Sequence, residues 1–150
     1  MISTQVVANT ILMLSFNENI PVSPMKLQKL MYFTYKDYLK TYDAPLFADR
    51  FECWQYGPVL SSIYYEFNRF GAKPINKFAR DANGSVTVVN MDSYSRIAQS
   101  IQNTWDKYKR YSGIQLSHLT HKENSAWSYA HNKKSHTLED KDIKNEPEYD

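Results

Sequence analysis

One stretch constrains this chain more than any other: Pro24 to Tyr42, PMKLQKLMYFTYKDYLKTY. Ser23 suits an N-cap, and Pro24 suits the first helical position, where its missing N–H costs nothing. Leu27, Met31, Thr34/Tyr35, Tyr38 and Tyr42 recur at helical spacing, while Leu30, Tyr32, Phe33 and Leu39 put apolar surface on other faces. A helix that is apolar around most of its circumference is buried on several sides. The stretch therefore predicts a central buried helix over about 24–42, with the domain packed around it. A second stretch, Phe51 to Val59 (FECWQYGPV), belongs against that helix.

The remaining elements follow in order. Thr4–Phe16 reads as a first helix, and Pro21 and Pro24 separate it from the second. Pro45 ends the central helix; Leu46 to Tyr56 is an extended segment; Gly57-Pro58 opens a helix over Val59–Phe70 that Gly71 closes. Asn83-Gly84, with Val86, Val88 and Val89 beyond it, predicts a small β-hairpin over about 75–90. Asp92 or Ser93 caps a helix to about Tyr111, with Ile97, Ile101, Trp105 and Tyr108 on one face and Gly113 at its end. A short helix follows at Gln115–His121, and a last one starts near Thr137 and fades into Pro147. The expected class is mostly α (α+β): a compact helical domain over 1–138, with 139–150 as an acidic C-terminal tail whose end is flexible.

At 150 residues, 42% hydrophobic and 15% aromatic, the chain is long enough to bury one core. Four glycines make a Gly-rich phosphate loop implausible. The net charge of +2 conceals an asymmetry: Glu139, Asp140, Asp142, Glu146, Glu148 and Asp150 against Lys141 and Lys144 give the tail −4. The body is thus mildly basic, well short of the basic stripe of a dedicated nucleic-acid binder. Cys53 is the sole cysteine, so an internal disulfide is excluded and a reducing compartment expected. Neither a signal peptide nor a membrane-spanning run is read in the sequence, so the expected location is the cytoplasm.

The sequence carries few of the patterns that catalysis or metal binding needs. His118 and His121 share a helical spacing but lack a third and fourth metal ligand, so no metal is expected. Cys53 lies in a bulky apolar run, where a lone cysteine is usually a small hydrophobe. There is no G-x-S-x-G elbow, GxGxxG or Walker loop, and neither a cofactor nor a small-molecule substrate is expected. Lys26, Lys29 and Lys36 with Tyr32 and Tyr35 form either a basic–aromatic nucleic-acid surface or, the favoured reading, a solvated helix edge. The element order also suits a winged-helix plan with Val59–Phe70 in the recognition position. Arg69 is its only basic residue, which disfavours nucleic acid as a partner.

Particular runs carry a resemblance. Lys26-Leu27-Gln28-Lys29-Leu30-Met31-Tyr32-Phe33, Pro45-Leu46-Phe47, Trp54-Gln55-Tyr56-Gly57-Pro58-Val59, Tyr64 to Gly71, and Leu116-Ser117-His118-Leu119-Thr120-His121 with Ser125-Ala126-Trp127 together resemble the SocA-like antitoxin family, the phage-associated Panacea domain, over roughly 5–130. Cys53 stands where that family often has Ala, and Ala126 where it has Pro. The resemblance implies a non-enzymatic antitoxin that neutralises a cognate toxin, encoded nearby in a bacterial or phage genome, by direct binding. It implies partner-binding roles for Lys26, Gln28, Lys29, Tyr32, Trp54, Tyr56, Tyr64 and Trp127, and structural roles for Gly57, Pro58, Thr120 and His121. A homo-oligomer stays open. So do two rivals: a phage or prophage DNA-binding regulator of winged-helix-like plan, and a cryptic hydrolase or transferase using Cys53, His118 or His121. The acidic tail is expected to touch a basic toxin surface, to mimic nucleic acid in the groove of an RNA- or DNA-acting partner, or to be inert.

Overall fold

Helix α2 (Pro24–Tyr42) lies at the centre, with most of the other helices and the second strand of the sheet packed against it. Its N-terminus forms as its sequence dictates: Ser23 is extended and its Oγ accepts from the Lys26 amide at 3.3 Å, with Pro24 at the first position. Asp43, in the left-handed region at φ 53°, ends it by donating its amide to Leu39 O at 2.9 Å. The computed structural model describes residues 1–149; Asp150, at the end of the acidic tail, lies outside them.

Around α2 stand α1 (Thr4–Glu18), α3 (Ser61–Phe67, with a 3-10 turn to Phe70), α4 (Arg96–Tyr108), α5 (Gly113–Thr120), α6 (Ala126–Asn132) and α7 (Asp140–Asn145). Strands β1 (Glu52–Trp54) and β2 (Gly57–Val59) pair antiparallel, Glu52 opposite Val59 and Trp54 opposite Gly57. Tyr32, Leu27, Leu30, Met31, Trp105, Phe47, Phe51 and Phe67 are all fully buried. Each such side chain contributes about 1.5–3 kcal/mol when taken from water. Rings meet edge to face at the centre, Tyr32 on Phe51 with centroids 5.2 Å apart.

The mostly helical plan with a small hairpin holds, but the hairpin is not at 75–90. The Asn83-Gly84 turn does form: Asp81 Oδ1 accepts from the amides of Asn83 and Ser85, each at 2.9 Å. Beyond the turn itself, closed by Asp81 N donating to Ser85 O at 2.9 Å, its arms bond to α1. The Asn9 carboxamide clamps Ala79, accepting from its N and donating to its O at 2.9 Å each, and Thr10 Oγ1 accepts from the Val89 amide at 2.9 Å. The true hairpin is 52–59, so Gly57–Val59 is strand, and the helix expected from Val59 starts at Ser61. The joint is held by Gln28, whose Oε1 accepts from Leu60 N at 2.9 Å and whose Nε2 donates to Leu60 O at 3.0 Å. Without a wing at 75–90, the winged-helix plan lacks one of its defining parts.

Three further boundaries differ. The helix expected from Asp92 or Ser93 starts at Arg96, because Asn90 turns the preceding segment and Ser95 caps Ala98 N at 3.1 Å. Gly113 begins α5 behind a Ser112–Gln115 capping box, and does not end α4. Helix α6, capped by Ser125, was not foreseen.

The acidic segment is packed rather than free over its described part. Residues 136–138 run antiparallel to β1, with Cys53 N donating to His136 O (2.8 Å) and Leu138 N to Phe51 O (2.9 Å). Helix α7 then lies on α2, burying Ile143, Glu146 and Tyr149.

Replacing Asn9 with Ala is expected to cost about 2–4 kcal/mol, because Ala79 N and O would lose their buried partners together. Urea unfolding measures the loss, and hydrogen exchange should quicken at Ala79 before it does in α2.

Candidate partner-binding site

The hairpin turn, Trp54 to Gly57, is a closely braced loop at the protein surface. Gly57 permits the turn at φ 117°, a value that side-chain-bearing residues rarely adopt. The three carbonyls before it are each engaged from the α5–α6 side. Trp127 Nε1 donates to Trp54 O at 2.7 Å, and Ser117 Oγ donates to Tyr56 O at 2.5 Å. His121 Nε2 lies 2.8 Å from Gln55 O, while its Nδ1 lies 2.6 Å from Ser117 O. Trp127 packs between imidazoles, His121 at 4.0 Å and His131 stacked at 4.7 Å. Thr120 Oγ1 donates to Ser117 O at 2.6 Å and sits against Gly57.

The loop and the adjoining α3 carry aromatic surface. Tyr56 is 60% and Tyr64 38% exposed, and Trp54 stacks at a tilt on Tyr64 with centroids 4.8 Å apart. Trp54 Nε1 donates to Glu52 Oε1 at 3.0 Å, which fixes the indole. Between this loop, α3 and the start of α2 runs a groove of about 470 Å³ whose walls include Met25, Trp54, Tyr56, Val59 and Tyr64.

Lys29 reaches the same groove from below. It is 1% exposed, and its Nζ donates to Pro58 O at 2.9 Å. Burial alone lowers its ammonium pKa to about 7.

The expected partner-binding residues thus divide. Trp54, Tyr56 and Tyr64 meet at the groove, and Trp127 braces it from behind. Lys26, Gln28, Lys29 and Tyr32 are interior groups with internal bonds, Gln28 and Lys29 at the foot of the groove. Lys26 Nζ donates to Lys109 O; Gln28 is spent on Leu60; Tyr32 OH donates to Glu146 Oε1 at 2.8 Å. Both readings of the lysine row give way together, since Lys26, Lys29 and Lys36 are all buried. Each finds a backbone carbonyl far along the chain, on Lys109, Pro58 and Pro147.

Two contributions escaped the sequence reading. Met25, Val59 and Ile63 line the groove; their apolar character was visible, their meeting was not. Glu146 is the other. Its Oε1 accepts from Tyr32 OH and from Ala126 N, both at 2.8 Å. Its Oε2 faces Lys36 Nζ at 2.8 Å as an ion pair, while the ammonium directs its hydrogen bond at Pro147 O. Desolvation and then the Glu146 charge push the Tyr32 phenol well above its usual range. Nothing in the acidic run marks Glu146 apart from its neighbours.

Among the described residues no group of three or more His, Cys, Asp or Glu is placed to hold a metal, and no helix is long and apolar enough to cross a membrane. Cys53 is half-buried, its thiol raised by burial, with Sγ 3.8 Å from Trp127 O.

Comparison with known proteins bears on this face. The family model described as "Antitoxin SocA-like, Panacea domain" matches residues 27–128, which run from α2 through the hairpin and groove to the Trp127 brace. Antitoxin SocA of Caulobacter vibrioides (strain NA1000 / CB15N) is 30% identical over 129 residues, covering 84% of this chain and 69% of that protein. No solved structure matches.

Proposed function

Because the chain belongs to the antitoxin SocA-like, Panacea domain family, we propose that it neutralises a toxin by binding it directly, with the hairpin loop and groove as the contact face. The observation carrying this reading is the pairing of exposure with rigidity. Tyr56 is open to solvent on a loop whose three carbonyls are each engaged by a side chain behind it, and Tyr64 is exposed beside it on α3. Aromatic anchors on a pre-ordered backbone bind with little loss of conformational freedom, and such residues dominate interface energetics. Occlusion of a toxin requires no catalytic group, so the site acts by shape and by the few polar groups at its edge. The partner is a protein made in the same cell, and the place of action is the cytoplasm. No observation favours the DNA-binding regulator.

The test is co-expression with the product of the neighbouring open reading frame. Growth arrest by that product, its relief by this chain, and a co-purifying complex are expected. Tyr56→Ala with Tyr64→Ala should weaken the complex by about 2–4 kcal/mol, a thirtyfold loss or more. The melting temperature should hardly move, since exposed side chains contribute little to folding. An unchanged affinity in the double variant removes this face from the interface.

A further inference from the structure

We propose that the groove between the hairpin and α3 receives an acidic, aromatic-bearing segment of a protein partner, its ring between Met25, Tyr56 and Tyr64 and its carboxylate on the ammonium of Lys29. The inference rests on the partner-binding reading above and specifies the chemistry of the bound segment.

Two independent features of the groove converge on that occupant. The walls are apolar and aromatic, and a volume of about 470 Å³ takes a large side chain with part of its backbone. Among the side chains that line it there is no Asp or Glu, and the single charged one is Lys29. That lysine is 1% exposed, and Pro58 O is the one acceptor that the described residues give its Nζ. Two of the polar groups beside it are committed elsewhere: the Gln28 carboxamide holds Leu60 at both ends, and Trp54 Nε1 holds Glu52. A buried ammonium without a counter-ion is costly, and an incoming carboxylate removes that cost. One positive charge at the foot of an aromatic cleft matches a monoanion on an apolar carrier.

The titratable groups on the elements around Lys29 do not supply the missing charge. On the α5 side, His121 sits against Gln55 O and Ser117 O, and His118 is exposed. On the hairpin, Glu52 pairs with Trp54 Nε1 and lies 3.2 Å from His136 Nε2. On α2 itself Lys26 is bonded to Lys109 O and Tyr32 to Glu146. Burial is accordingly the one cause that lowers the Lys29 ammonium, to about 7. Pairing with a carboxylate requires the protonated amine, so affinity is full below pH 7 and falls as pH rises through that value.

The test uses N-acetyl-L-tryptophan and its uncharged analogue N-acetyl-L-tryptophanamide, titrated into the full chain and followed by NMR at Trp54 Nε1–H and the Tyr56 and Tyr64 amides. The acid is expected to bind at least tenfold more tightly than the amide at pH 6. Its affinity should fall roughly thirtyfold by pH 8.5, as an amine with pKa near 7 loses its proton. The amide's affinity should stay level. Lys29→Met keeps the aliphatic stem and should abolish both the acid preference and the pH dependence. Should that variant fail to fold, the acid–amide comparison on the unaltered chain decides. Equal binding of the two probes, a flat pH profile, or shifts confined to other surfaces overturn the proposal.

The neighbouring toxin separates this inference from the antitoxin reading. A toxin that binds and displaces the acid probe supports both. One that binds without displacing it leaves the antitoxin reading standing and removes the groove as the contact. Failure of any toxin to bind, with the probes behaving as expected, overturns the antitoxin reading and keeps the site.

Discussion

Replacing Glu146 with alanine should destabilise the protein by about 3–5 kcal/mol, the range for removing one partner of a buried ion pair. Against a domain stability of about 5–15 kcal/mol, that approaches unfolding. The melting temperature should drop by about 10 °C or more. The size of the effect follows from what is left behind. Lys36 would keep its charge at 3% side-chain exposure, and the Tyr32 hydroxyl and the Ala126 amide would lose their acceptor. Glu146→Gln retains an oxygen for Tyr32 and Ala126 and gives up only the charge opposite Lys36, so it should fall between alanine and the parent. Lys36→Met combined with Glu146→Gln should cost less than the two changes summed, because neither then strands a charge. Thermal denaturation of the parent, Glu146→Ala, Glu146→Gln, Lys36→Met and the double variant checks the series. A loss below 1 kcal/mol in Glu146→Ala would show that water replaces the carboxylate there without penalty.

A second large effect is expected from Gly57→Ala. The backbone at φ 117° is strained for any side chain, and the added Cβ would stand 2.6 Å from Thr120 Oγ1 and 3.0 Å from Lys29 Cε. Strain of this kind costs about 1–3 kcal/mol and forced overpacking about the same again. Thr120→Ala in the same chain removes the closer clash but leaves the dihedral strain, so it should return only part of the loss. Chemical denaturation measures the stability, and toxin affinity measures the second consequence, since the turn that displays Tyr56 cannot keep its course. A Gly57→Ala protein of parental stability and affinity would mean that the hairpin relaxes freely, contrary to its three braced carbonyls.

The sequence made α2 legible because its signals are local. The Ser23-Pro24 start, the four-sided apolar pattern and the Pro45 stop can be read without knowing what lies across from them. The hairpin at 75–90 failed for the opposite reason. Its turn was read correctly, but whether two arms pair depends on competing partners, and those sit on Asn9 and Thr10, some seventy residues away. The true strands are three residues each, and one contains Gly57-Pro58, a combination that local propensity argues against. The lysines of α2 show the same limit. A lysine one turn from another reads as solvent-facing, and only the fold supplies the carbonyls of Pro58, Lys109 and Pro147 that hold them inside. At the candidate site the aromatic residues were visible singly. The groove that Met25, Val59 and Tyr64 make together was not, because it exists only once β2 and α3 are set against the start of α2. Cys53, His118 and His121 attracted attention as chemical types, and two of them turn out to sit beside Trp127, where His121 holds the loop.

The bond between Glu146 and α2 also sets an order in time. Tyr32 and Lys36 leave the ribosome more than a hundred residues before the carboxylate that satisfies them. Until residues 140–149 have been synthesised, the central helix carries an unanswered ammonium and phenol on the face that α7 will cover. A nascent chain halted before that point holds the sequence of the hairpin and groove without the support that completes the core. Whatever binds at that face therefore meets a finished binding surface only once residues 140–149 have been made, so that translation halted short of them yields chains that lack it.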